Sequence, residues 1–151
     1  MEGHPQALPS NRQYQARFAG SIQNAADALI VRLDELLVQG KRFVLLEKAQ
    51  AIPPRKAELL WGVIRIWPRH GRIVAVHLNR IRHLIGPAVD LRSVLRRLMR
   101  QEIVLPGIDG TLTRQVMIQG LTNSARRRCV IFVEKALVER AGILAATPPD
   151  R

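Results

Sequence analysis

Apolar positions follow a helical period over one long early stretch and fall into short helix-like and strand-like runs after it. Ile22, Ala25, Ala26, Leu29, Ile30, Leu33, Leu36 and Leu37 make a wide apolar stripe. That spacing predicts a long helix from an N-cap at Ser21 to about Gln39, with Gly40 as its stop. The stripe is expected to pack on the rest of the domain rather than on a second copy. Residues 1–19 are polar, carry Pro5 and Pro9 and show no period, so they read as a flexible tail. Lys41 to Lys48 fits a short strand or a helix start, with the strand favoured. Pro53-Pro54 makes Ala49 to Lys56 a loop.

Leu59 to Trp67 and Arg72 to Leu78 are short, apolar and β-branched, and Pro68-Arg69-His70-Gly71 between them suits a turn. A hairpin is expected. Asn79 is a candidate cap for a short helix over Arg80–Ile85, with Ile81, Leu84 and Ile85 facing inward, and Gly86-Pro87 breaks it. The next helix, Asp90 to Glu102, carries Leu91, Val94, Leu95, Leu98 and Met99 on one face. Asp90 stands where an N-cap belongs. After an apolar stretch at 103–105 and a turn at 106–110, Thr113–Gln119 and Arg128–Val133 read as two strands of a ribbon. Cys129, Ile131 and Val133 share one face of the second strand. A closing helix is expected over Glu134–Gly142 with Ala136, Leu137 and Ala141 inward, and Thr147-Pro148-Pro149 opens a second tail. The resulting division is a tail at 1–19, a domain at 20–142 and a tail at 143–151.

Charge adds the most to this outline. The chain of 151 residues has a net charge of +12. Residues 1–59 hold eight basic and six acidic side chains, and residues 134–151 hold three of each. Residues 60–133 hold thirteen arginines, no lysine and three acids (Asp90, Glu102 and Asp109). Nearly all the surplus therefore lies on the helix–turn–helix–ribbon stretch, as a polyanion-binding footprint requires. On the helix 90–102, Arg92, Arg96 and Arg100 recur at i, i+4 and i+8 with Arg97 beside them. Like charges at that spacing cost about 0.2–0.5 kcal/mol per pair on an isolated helix, so the face is either a solvated surface on a stable domain or the seat of an anionic partner. Arg126, Arg127 and Arg128 crowd the exit of the ribbon's connection, Gly120 to Arg127. Such a tip suits phosphate or the minor groove, the other use being an ordinary exposed hairpin.

Little in the chain suggests catalysis. His4, His70, His77 and His83 are not at i, i+4 on a helix, and Cys129 is the only cysteine, so no metal site or internal disulfide is expected. No phosphate loop or dinucleotide fingerprint occurs. The three acids of the basic region serve helix ends and a turn and do not form the converging carboxylates of a two-metal nuclease. Tyr14 lies in the predicted tail. No cofactor is called for, and the expectation is a non-enzyme. With no signal-peptide pattern and no apolar run near 20 residues, the expected setting is cytoplasmic, away from the membrane. Aromatics are 4% of the chain, so Trp61 and Trp67 are expected in the core rather than stacking on bases.

The run DLRSVLRRLMRQEIVLPGIDGTLTRQVMIQG followed by RRRCVIFV resembles the winged-helix module at the C-terminal end of mobile-element proteins, namely conjugative relaxases and phage or plasmid primase-helicases. The likeness extends more loosely to 29–48 and 74–85 and covers about two thirds of the chain. It implies an α+β fold, a winged helix-turn-helix with an additional N-terminal helix and hairpin. It also implies a DNA-binding accessory module without catalysis. Arg92, Arg96, Arg97 and Arg100 would lie on the recognition helix and Arg126, Arg127 and Arg128 on the wing. These 151 residues lack the large catalytic portion upstream and carry Glu134–Arg151 as an extra segment, as expected of either a stand-alone mobile-element protein or a piece of a longer one. Arg80 and Arg82 on the first helix are expected to hold phosphate, and Arg114 completes the candidate set. The expected partner is double-stranded DNA, with a protein of a replication or transfer complex as a possible second. RNA or single strands, or a protein-binding inhibitor anchored by Leu59–Trp67, are the alternatives. Oligomeric state stays open.

Overall fold

The computed structural model describes residues 11–46, 59–107, 110–117 and 126–147. Among them four helices and six strands make a mixed α+β fold. In order these are α1 (Asn11–Gln39), β1 (Phe43–Leu45), β2 (Gly62–Trp67), β3 (Gly71–His77), α2 (Leu78–Ile85), α3 (Leu91–Arg100), β4 (Val104–Leu105), β5 (Arg114–Met117), β6 (Arg126–Val133) and α4 (Glu134–Ala146). The strands form one sheet in the order β1–β2–β3–β6, with β4 and β5 both paired to β6. β1 runs parallel to β2 and every other pair is antiparallel.

The centre of the sheet is buried on both faces, and its residues sort by period two. Val74, Val76, Val130 and Phe132 face the helices, where they join Ile30 and Leu33 of α1, Ile81 of α2, Leu95 and Leu98 of α3 and Leu137 of α4. Ile73, Ala75, Cys129 and Ile131 face the other way, into a smaller cluster with Val63, Leu46 and Leu60. Burial on both sides explains why β3 and β6 read as continuous apolar runs rather than as alternating ones. The expected face of Cys129 and Ile131 is therefore real, and its opposite is equally apolar. Trp61 packs partly against the helical cluster and Trp67 against the smaller one.

The chain passes at very close range where β2 meets β3. Gly62 pairs with Val76, and a Cβ placed on it would collide with the Ala75 carbonyl. Only glycine allows β2 to approach β3 there.

Several boundaries differ from the expected ones. α1 begins at Asn11, not Ser21, so residues 11–19 are helical rather than a tail. Arg, Gln and Ala in that stretch favour helix by propensity even without a long apolar stripe. Ser21 lies inside the helix and caps nothing. Residues 1–10 and the loop expected at 49–56 lie outside the described residues. α2 begins at Leu78, with His77 at the N-cap position and no side-chain cap, because the helix follows directly from β3 and leaves no separate turn for Asn79 to cap. α4 runs on to Ala146, four residues past Gly142, which as an isolated glycine weakens a helix without ending it. β6 starts at Arg126, two residues before the expected strand. β5 is described only to Met117, so 118–119 and the connection at 120–125 lie outside the described residues.

Candidate nucleic-acid interface

α3 presents its two faces as the spacing predicts. Val94, Leu95 and Leu98 are buried, and Arg92, Arg96 and Arg100 are exposed. Asp90 holds the N-cap position, but its carboxylate makes no capping bond to a helix amide. Instead Oδ2 accepts the Ser93 hydroxyl at 2.5 Å. That bond first, then the nearby amides of Ser93 and Arg92 and the Arg92 charge, holds the Asp90 carboxyl below its ordinary value of 3.8. At the far end, Ile103 N–H donates to the Leu98 carbonyl and Glu102 N–H to the Met99 carbonyl, both at 3.0 Å. This is the Schellman pattern, with Leu98 and Ile103 buried beside each other's turn. Glu102 sits at the left-handed position, φ 61°, where glycine is usual. Gln101 ties this end of α3 to α1 through Gln23 Oε1 at 2.9 Å.

The loop before β5 is held by its own bonds. Gly107 N–H donates to the Thr111 carbonyl at 2.6 Å, Thr111 Oγ1 to the Thr113 carbonyl at 3.0 Å, and Arg114 Nε to the Pro106 carbonyl at 3.0 Å. So fixed, residues 110–113 form one wall of a cleft of about 360 Å³, with α3 as the other wall. Arg92 and Arg96 line it from α3, Arg82 from α2 and Arg128 from β6. The strand register brings these elements together. His77 pairs with Cys129, so α2 starts beside Arg128.

The ten arginines marked in the sequence thus divide. Arg82, Arg92, Arg96 and Arg128 meet at one cleft, are exposed and make no hydrogen bond or ion pair among the described residues. Arg80 instead lies over Trp61, 5.3 Å from the ring centroid. The Trp61 carbonyl accepts His77 N–H at 2.8 Å and so sits next to the start of α2. Arg114 lies over Trp67 at 5.2 Å. Both guanidinium faces thus rest on tryptophan rings within the fold. Arg97 is half-buried and turns its Nε into the protein, without a partner among the described residues. Arg100 is exposed and reaches back to the Arg96 carbonyl at 3.4 Å. Arg126 and Arg127 open β6, paired in register with Met117 and Val116.

Three arginines elsewhere have acidic partners. Arg32 pairs with Glu35, Arg72 with Glu134 and Arg140 with Asp27, each at 3.0 Å. Among the described residues the four cleft arginines make no such ion pair, as Arg65 and Arg69 outside it make none, so what marks the cleft is that four cations meet there. Sequence reasoning missed the threonine wall, Thr111 and Thr113, because nothing in GTLT itself signals a loop folded back on a helix. No helix among the described residues is long and apolar enough to cross a membrane. No protein-family model, curated protein or solved structure matches the chain.

Proposed function

We propose that this chain is a non-catalytic, cytoplasmic protein of a mobile element that binds double-stranded DNA through a winged helix-turn-helix. The element order supports the fold. Strand β3, helix α2, a Gly86-Pro87 turn, helix α3, strands β4 and β5, a ribbon connection and strand β6 follow one another. In the sheet β6 lies between β3 and β5. α1 and the β2 hairpin strand are additions to that unit. In this reading α3 enters the major groove and the β5–β6 ribbon lies along the backbone.

The observation that carries the reading is the convergence of unpaired arginines from α2, α3 and β6 on one exposed face. Cations left without acids are stabilised when they neutralise phosphates and release counterions. Binding of RNA or single strands would call on exposed aromatics for stacking, and Trp61 and Trp67 are half-buried under arginines. A protein-docking role for the same segment keeps some support from the exposed Leu59, before β2, and Ile66, within it.

Fluorescence anisotropy with duplex DNA, single-stranded DNA and RNA at several salt concentrations tests the proposal. The expected result is tightest binding to duplex, with log affinity falling by about 0.9 per contacted phosphate for each decade of salt. The double variants Arg92→Ala/Arg96→Ala and Arg126→Ala/Arg127→Ala are each expected to flatten that slope by about two contacts' worth. Binding to none of the three nucleic acids at moderate salt would sink the proposal.

A further inference from the structure

We infer that the cleft between α3 and the base of the ribbon is a pocket for a single nucleoside phosphate, taking one unpaired nucleotide rather than only a passing stretch of duplex backbone. The inference rests on the nucleic-acid reading above and adds a ligand to one part of it.

Three observations point to it. The first is size. A cleft of about 360 Å³ lies within the ~300–1,000 Å³ range of small-molecule sites. The second is charge. Arg82, Arg92, Arg96 and Arg128 reach it from three separate elements, so guanidinium forks can close on a phosphate from several directions, each as a charge-assisted bond. The third is apolar lining. Leu78, Leu91 and Leu112, each half-buried, line the same cleft. A bare phosphate gains nothing from leucine, whereas a base or sugar face does. Arginines and half-buried leucines in one lining suit a ligand with a charged end and a flat apolar body.

The walls are preformed. The loop 110–113 is pinned by the Gly107–Thr111 and Arg114–Pro106 bonds, and α3 is held by its buried leucines. A nucleotide entering would order little else, which favours binding. An extruded or terminal nucleotide leaves its stack at a cost of a few kcal/mol, least where it is already unpaired. The pocket therefore favours strand ends and unpaired positions over the interior of a perfect duplex.

The test uses the full chain and four probes: 2′-deoxyadenosine 5′-monophosphate, inorganic phosphate, a blunt duplex, and the same duplex carrying one unpaired 5′-phosphorylated nucleotide. Calorimetric titration reads the small probes and anisotropy the duplexes. The mononucleotide should bind at least about tenfold more tightly than phosphate, the contribution of about one buried apolar group. The overhang duplex should bind more tightly than the blunt one. Arg82→Ala/Arg128→Ala should abolish mononucleotide binding and the overhang preference, while Arg126→Ala/Arg127→Ala should weaken both duplexes alike and leave the mononucleotide unaffected. Mononucleotide binding without duplex binding would uphold the pocket, assign it to free nucleotides and remove the duplex reading. Equal affinity for blunt and overhang duplexes, with no mononucleotide binding, would overturn the pocket and leave the duplex reading standing.

Discussion

The Arg114 guanidinium lies over the Trp67 ring, 5.2 Å from its centroid, while its Nε donates to the Pro106 carbonyl at 3.0 Å. One side chain thus fastens the start of the ribbon both to the hairpin and to the loop that walls the cleft. Its position in the sequence suits a phosphate-binding residue, but its Nε and its flat face are engaged within the fold.

Arg114→Ala should therefore act on stability first. Losing the ring contact and one hydrogen bond costs about 1–2 kcal/mol. Urea denaturation should show that loss, and Trp fluorescence should change with it. Duplex affinity should fall less than in Arg92→Ala/Arg96→Ala. A stability unchanged within error, with affinity lost, would mean that Arg114 contacts DNA after all.

Glu102 occupies a left-handed conformation with φ 61° at the end of α3. A side chain there costs about 1–2 kcal/mol relative to glycine, and a carboxylate next to a helix C-terminus adds a small electrostatic penalty. Glu102→Gly should stabilise the protein by about 1 kcal/mol net of the greater freedom of glycine when unfolded. For a domain of this size that is a rise of about 2–4 °C in Tm by calorimetry. A lower Tm would show that Glu102 makes a compensating interaction.

Gly62→Ala should do the opposite. The added methyl meets the Ala75 backbone carbonyl, which belongs to the sheet and cannot rotate away. Forcing extra volume into a packed site costs about 1–3 kcal/mol and often more where backbone must move. Reduced yield of folded protein and a lower urea midpoint are the expected readouts, in contrast to Gly20→Ala inside α1, where nothing lies within 4 Å and the change should stabilise the helix by about 0.5–1 kcal/mol.

The Asp90–Ser93 bond gives a sign for acid stability. The folded-state pKa of Asp90 lies below 3.8. A depressed carboxylate contributes stability that is present above the unfolded value and is lost as pH falls through the folded one. Asp90 therefore helps α3 at neutral pH and stops helping in strong acid. Ser93→Ala removes the largest cause, so an NMR titration should show the Asp90 pKa moving up toward 3.8. An unmoved pKa would assign the depression to the helix amides and Arg92.

Much of the helical and strand pattern follows from the chain by itself, because each element announces its buried face locally. Ile22 to Leu37 could only be a helix with one apolar side, and Val94, Leu95 and Leu98 could only face inward once Asp90 opened a helix. The basic face of α3 was equally determined, since Arg92, Arg96 and Arg100 are fixed relative to those leucines by the helical period alone. Residues 11–19 were misjudged because propensity without a long stripe leaves little to count. Which arginines remain available was settled only by the tertiary structure. Arg80 and Arg82 stand two residues apart on α2, yet one lies over Trp61 and the other opens on the cleft. Arg128 joins Arg92 and Arg96 because β6 pairs with β3 in the register that sets Cys129 against His77. Sequence spacing sets the side of a helix on which a charge lies. Only strand register and packing decide what stands opposite it.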